Sequence, residues 1–492
     1  MNQEVQEFFA MVANTAFANP FSTERMELDR KITGVTRTDL TREEMVQQVT
    51  AKVAERLRIL EASGRADVSL YEGEERRTIE VVFLFTVYHR YRHEFDAFIP
   101  RQVAAGDAPC KVLFARDVLS MLTHLGFTEA EALKYFALYY QFRRAFYFIE
   151  SGLVGASSSM HRLRLNLWNN VFTNSLDLYD THLWNRMEDF STLLLGETGT
   201  GKGAAAAAIG RSCFIPYDPV KGQFVESFTR NFISLNLSQY PESLIESELF
   251  GHRKGAFTGA VENYEGIFSR CTPHGSIFLD EIGDISIPVQ IKLLQVLQER
   301  TFSAVGSHDR LRFHGRVIAA TNRPLDEMRR RGQFRDDFYY RLCSDTIVVP
   351  SLRQRIAEEP RELEMMVDHL LTRMVGECRQ GLVDLVLTAL KRDLPPSYSW
   401  PGNVRELEQA VRRILLAGSY SGDSSLQSEL VEAERMKDGT VDAYTLLANY
   451  CRFLFERYGT YEEVARRTRL DRRTVKKYLQ EGAPDSDGAT SP

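Results

Sequence analysis

A chain of 492 residues exceeds what one hydrophobic core serves, so roughly two to four domains are expected. With 43% hydrophobic and 26% charged residues and a net charge of −6, the composition is that of an ordinary soluble protein; it excludes a polycation, so any nucleic-acid binding must be local. Six scattered cysteines without a CxxC pair argue against a zinc site or disulfide framework, and the absence of a signal peptide or bilayer-length apolar run points to a cytoplasmic protein with no membrane partner.

Residues 1–152 carry no chemical motif and are expected to be mostly helical, a regulatory or sensory domain by elimination. Met45, Val49, Val53 and Leu57 recur at helical spacing. Aromatic residues crowd the stretches 81–99 and 127–149. That density suits a ligand pocket or a helix–helix interface, and a plain helical core is the simpler reading. His89 and His93 lie near acids, but a solvated helix face accounts for them better than a metal site. The small, polar stretch 152–159 reads as a short linker.

An α/β pattern follows. Leu193 to Leu195 read as a buried strand, Gly196, Glu197, Thr198, Gly199, Thr200, Gly201 and Lys202 as a glycine-rich turn, and Ala204 to Ile209 as a helix. Strand, turn and helix in this order are the context of a phosphate-binding loop. Glycines let backbone N–H groups converge on an anion, the helix adds its positive end, and Lys202 adds a point charge. Gly203 stands where a Ser or Thr hydroxyl usually holds Mg²⁺, so the metal must be gripped elsewhere. The stretch 214–231, with Pro216, Pro219 and Gly222, reads as a surface insertion before a second apolar strand, 232–236.

Gly255, Ala256, Phe257, Thr258, Gly259 and Ala260 place one aromatic and one hydroxyl among small residues. This reads as a mobile loop presenting Phe257 outward, the alternative being a turn with Phe257 folded back into the core. The apolar strand 276–280 ends in adjacent acids; in a P-loop ATPase Asp280 would hold Mg²⁺ and Glu281 would orient or deprotonate water. A further strand delivers Thr321 and Asn322, suited to sensing a γ-phosphate. Arg335 and Arg341 fit an arginine offered to a neighbouring subunit, a role that can coexist with ion pairs to Asp336 and Asp337. Residues 355–418 look all-helical, with Arg405 in the first turns of a helix and within reach of nucleotide.

Residues 419–440 read as a linker and 481–492 as a disordered tail. Between them, 461–468 and 472–479 read as two short helices, with Asp471 as the N-cap of the second. From Arg452 to Tyr478 nine Lys/Arg oppose four Asp/Glu, a local charge of +5. That is the footprint of a phosphate-backbone binder, with Arg472, Arg473, Thr474, Lys476 and Lys477 facing DNA.

The motifs GETGTGK at 196–202, ESELFGHRKGAFTGA at 246–260, GSIFLDEIGD at 275–284, FRDDFYYRL at 334–342 and WPGNVREL at 400–407 resemble those of the AAA+ activators of sigma-54 RNA polymerase, the bacterial enhancer-binding proteins, in the family's order. The C-terminal segment resembles the family's Fis-type helix-turn-helix. After the helical N-terminal domain (1–152), the resemblance implies a AAA+ α/β P-loop ATPase subdomain (153–350), a helical lid (351–418) and a helix-turn-helix bundle (441–480), a multidomain chain. It implies ATP and Mg²⁺ as cofactors, with ATP on the P-loop and Gly203, Mg²⁺ on Asp280, water activated by Glu281, and Asn236 restraining that glutamate. Arg335 and Arg341 would be the fingers, Thr321 and Asn322 sensor I, Arg405 sensor II, and residues 255–260 the contact with sigma-54. The implied assembly is a ring, commonly a homo-hexamer, bound to double-stranded enhancer DNA. Gly203 departs from the family's usual glutamate, 214–231 is longer than expected, and 1–152 does not resemble a phosphorylatable receiver. Two rival readings are a DNA-binding regulator with a vestigial ATPase, and a AAA+ remodeller of another target, which leaves the basic C-terminal helices unexplained.

Overall fold

A computed structural model describes residues 3–35, 40–376, 380–422 and 442–480. Most of the expected linker 419–440 and all of the expected tail 481–492 lie outside them. The described residues among the first 172 form eight main helices: α1 (Gln3–Phe17), α2 (Thr23–Thr33), α3 (Arg42–Ala62), α4 (Gly73–Arg90), α5 (Arg92–Ala105), α6 (Ala115–His124), α7 (Glu129–Gly152) and α8 (Ser158–Phe172). The longest, α7, starts in a capping box: the Thr128 side chain accepts the Glu131 N–H, and the Glu131 carboxylate takes the Thr128 N–H.

The α/β region comprises β1 (Thr192–Leu195), α9 (Lys202–Gly210), the hairpin β2 (Tyr217–Asp218) and β3 (Gln223–Phe224), β4 (Phe232–Asn236), α10 (Glu242–Phe250), β5 (Ser276–Asp280), α11 (Ile287–Glu299), the hairpin β6 (Thr301–Phe302) and β7 (Leu311–Arg312), β8 (Arg316–Thr321), α12 (Asp336–Leu342) and β9 (Asp345–Val348). Five strands form a parallel sheet in the order β4-β5-β8-β1-β9. Side chains alternate across it, as pleating requires. Leu193, Ile277, Leu279, Val317 and Ala319 enter the core that includes α10 and α11. Leu194, Phe278, Ile318 and Ala320 enter the core of α9 and the N-terminal helices. Helices α13 (Leu352–Glu358), α14 (Glu362–Val375), α15 (Gln380–Asp393) and α16 (Asn403–Ala417) follow.

Residues 1–152 therefore do not stand apart as a separate domain: residues 1–388 and 402–417 make one compact unit. The stretch 214–231 is correspondingly not a surface insertion. Phe224 and Phe228 are buried, and Phe224 stacks on Tyr140 of α7 with ring centres 4.0 Å apart. On α7, Gln141 donates to the Ser212 carbonyl at 2.8 Å, and Arg144, wholly buried, donates to the carbonyls of Arg211 and Cys213. From α8, the Asn170 amide reaches Thr192 of β1 and Asp345 of β9, and its oxygen accepts from Arg316 of β8. The stretch read as a linker is strapped down as well. The buried Glu362 carboxylate accepts the N–H groups of Ala156 and Ser157 and pairs with Arg355, and a Cβ at Gly155 would strike it.

A second unit comprises 389–401 and 418–492. Its described residues include α17 (Ala443–Tyr458), α18 (Tyr461–Thr468) and α19 (Arg472–Gln480), packed on Cys451, Leu454, Val464 and Val475. Among the described residues no helix is long and apolar enough to cross a membrane.

Candidate active site

The loop between β1 and α9 turns through Gly199 and Gly201, both left-handed at φ 79° and 104°. A Cβ on Gly199 would press on the Gly402 carbonyl, so only glycine fits there. Would-be Cβ atoms on Gly201 and Gly203 meet nothing within 4 Å, leaving the start of α9 open. Lys202 is 6% exposed, and its ammonium donates to the carbonyls of Gly196 at 2.9 Å and Glu197 at 3.1 Å. Burial lowers its pKa, against the pull of the Glu281 and Asp280 carboxylates. Amides, a helix start and a desolvated ammonium converge here, a donor set matched to a phosphate-type anion.

The register pairs Leu195 of β1 with Thr321 of β8 and Asn236 of β4 with Asp280 of β5, which lines these residues up at the carboxyl ends of the strands. Glu281 follows β5 at φ 57°, a left-handed conformation that costs a non-glycine residue about 1–2 kcal/mol. Its Oε2 is buried without a hydrogen-bond partner. Burial first, then the Asp280 carboxylate, pushes its pKa up, while Lys202 and the Asn322 N–H act the other way. A strained, half-desolvated carboxyl beside a lysine is what a base aimed at bound water requires.

Asn322 donates to the Thr198 hydroxyl at 2.8 Å, tying the end of β8 to the loop, while the buried Thr321 hydroxyl accepts the Arg323 N–H. Arg405 is exposed at the start of α16, close enough to Lys202 to lower its pKa. Arg335 is paired with Asp337 at 2.7 Å, and Arg341 donates to the Leu297 carbonyl at 3.0 Å. Asn236 does not restrain Glu281 in this arrangement. Its side-chain oxygen accepts the Ser238 N–H at 3.0 Å and the Ser238 hydroxyl at 2.7 Å, because capping the turn after β4 satisfies groups nearer in the chain.

The sequence reading passed over Asn403 as a site residue. Fully buried at φ 53°, it donates to Glu197 and to the Thr198 carbonyl and accepts the Leu352 N–H. The Val404 N–H bonds the Gly199 carbonyl, and Arg353 pairs with Glu197, holding that carboxyl below its ordinary value. The available signal was the Pro-Gly-Asn before a helix, since asparagine tolerates the left-handed region.

Residues 255–260 form a closed loop in which the Gly255 N–H bonds the Ala260 carbonyl at 2.8 Å. Phe257 is 36% exposed and leans on the His252 ring, not into the core. The β6–β7 hairpin lies beneath: the Arg253 N–H bonds Val305, and the Val305 N–H bonds Gly251. On α19, Arg472, Arg473, Lys476 and Lys477 are exposed and Thr474 is half-buried; Arg472 pairs with Glu462, and Asp471 accepts the Arg473 N–H. His89, expected on a solvated face, packs instead on the Phe85 ring 4.3 Å away, and no cluster of metal-ligating residues occurs among the described residues.

Residues 177–348 match the family model of the sigma-54 interaction domain. The chain is 37% identical over 255 residues to the regulatory protein AtoC of Escherichia coli K12, covering 51% of each chain. It is 41% identical to the transcriptional regulatory protein ZraR of Salmonella typhimurium, over 50% of this chain and 53% of that one. The nitrogen fixation protein VnfA of Azotobacter vinelandii is 40% identical, over 51% of this chain and 45% of its own. The chain thus spans about half the length of these relatives. Among solved structures, NtrX from Brucella abortus in complex with ADP superposes with a TM-score of 0.41 at 20% identity, over 75% of this chain and 80% of that one. Residues 177–348 thus match a sigma-54 interaction domain, an AAA+ ATPase domain, and about half of the chain is similar to these regulatory proteins.

Proposed function

We propose that this protein hydrolyses ATP to remodel the closed complex of sigma-54 RNA polymerase on promoters whose upstream DNA it binds. The observation that carries the reading is Glu281, strained, with a buried unpartnered oxygen, beside Asp280 and Lys202 at the carboxyl ends of the strands. The loop amides and Lys202 bind the β- and γ-phosphates. Asp280 would hold Mg²⁺, which would neutralise phosphate charge there. Glu281 draws the proton from the attacking water, and Asn322, bonded to Thr198, reports whether the γ-phosphate is present. Arg335, with its side chain 39% exposed, and Arg341 serve the site of the next subunit in a ring, commonly a hexamer. Hydrolysis shifts the β6–β7 hairpin and with it the 255–260 loop, whose Phe257 and Thr258 act on sigma-54.

Glu281→Gln in the purified protein is expected to keep ATP binding and to lose hydrolysis by about 100-fold or more. Thr258→Ala is expected to keep hydrolysis and lose activation of a sigma-54 promoter. Normal turnover by the first removes the catalytic reading, and full activation by the second removes the loop reading. A regulator with a vestigial ATPase is favoured only by Gly203, which brings no hydroxyl to the metal, and phosphate release by the wild type would exclude it.

A further inference from the structure

A cavity of about 510 Å³ opens among the N-terminal helices, far from the nucleotide loop in sequence and lined by residues of α1 to α5, α7 and α8. Close-packed interiors leave few voids larger than a water molecule, whereas sites for small organic molecules span roughly 300–1,000 Å³. Its walls are largely rings and aliphatic groups, with Leu84, Phe85 and Tyr88 on one side, Phe142 and Phe146 on another, and Trp168 from α8. Three buried polar atoms of the lining make no hydrogen bond, one of them the Asp180 Oδ1, which lies 2.7 Å from the Lys134 ammonium. Trp168, only 5% exposed, leaves its indole N–H without a partner, and the buried Nδ1 of His89 has none either.

The charges around the cavity favour an acid. Each carboxylate of the lining is already met by a cation: Asp29 by Arg25, Asp96 by Arg143, Glu43 by Arg92, and Asp180 by Arg77 and Lys134. No lining carboxylate is therefore left for a cationic ligand. Arg42 at the rim has, among the described residues, one carbonyl partner (Pro20) and the Phe21 and Phe146 rings, and no carboxylate within ion-pair distance, so most of its five N–H donors are unspent. Burial and the guanidinium groups of Arg25, Arg92 and Arg143 keep His89 neutral, able to donate or accept a hydrogen bond without adding charge.

We infer that this cavity is a binding site for a small, flat, apolar molecule bearing one anionic group, such as an aromatic carboxylate, with its ring among the aromatic walls and its acid group toward Arg42. The test does not use the ATPase and is independent of that reading.

The full chain is titrated with 1-naphthoate and, separately, with 1-naphthylmethylammonium, following thermal unfolding and tryptophan fluorescence. Naphthoate is expected to raise the unfolding midpoint saturably and to perturb the emission of Trp168, with the loss of that signal in Trp168→Phe. The ammonium analogue is expected to do neither. Ala16→Phe, which fills the cavity from a half-buried position, should abolish naphthoate binding. Arg42→Met changes an exposed rim residue and should fold whatever becomes of Ala16→Phe. It should weaken binding about tenfold or more, as for the loss of one charge-assisted hydrogen bond. No saturable response to naphthoate at millimolar concentration, equal binding of the two analogues, or unchanged binding by Arg42→Met would each overturn the inference.

Discussion

Glu281 combines three features that rarely meet in one residue: a left-handed backbone, a buried unpartnered oxygen and a raised pKa. Because burial disfavours its charged form, folding stability falls, and does not rise, as pH climbs through its pKa. Hydrolysis follows the opposite course, since a base must be charged to take a proton. The acid limb of the kcat/KM profile is therefore expected to lie above 4.5, the ordinary glutamate value, and to vanish in Glu281→Gln. An acid limb at or below that value would detach Glu281 from the rate-limiting proton transfer. Asn403 acts differently, holding the loop against α13 and α16 through bonds to Glu197, Thr198 and Leu352.

At the level of elements, α7 has two occupied faces. Phe142 and Phe146 line the cavity, while Tyr140, Gln141 and Arg144 hold Phe224 and the carbonyls that follow α9. Phe224 is 2% exposed and stacks on both Tyr140 and Phe136. Phe224→Ala is expected to cost about 3–5 kcal/mol, the usual cost of removing a buried phenyl ring. Urea denaturation should show that loss in the helical and ATPase regions together, because the ring belongs to the core of both. A loss confined to one of them would mean that the hairpin is not their joint.

For the whole molecule, the common core predicts that the N-terminal helices cannot simply be cut away. A chain beginning at residue 153 would expose Phe224 and Phe228 and leave the Arg211 and Cys213 carbonyls without Arg144. Apolar area of that kind promotes association. The truncated chain is expected to be largely insoluble or aggregated by light scattering; a monodisperse, cooperatively folding product would show that the two parts fold independently.

The motifs that mark the candidate site are legible because each is local in the chain. A glycine turn between strand and helix, two acids ending a strand, and an aromatic among small residues are each written within a dozen consecutive positions, and the backbone has few ways to fold them. Asn236 marks where that reading stops: its place at the end of β4 was foreseeable, but whether its amide faces Glu281 or the nearer Ser238 depends on competing hydrogen bonds. Residues 1–152 show the larger limit. Their helices were evident from periodicity, yet a helix face packed on a neighbour and one lining a cavity have the same period. The union of α7 with the stretch 211–231 rests on pairs such as Tyr140–Phe224 and Arg144–Cys213, more than sixty residues apart, and which distant partners meet is settled only when the chain closes its core.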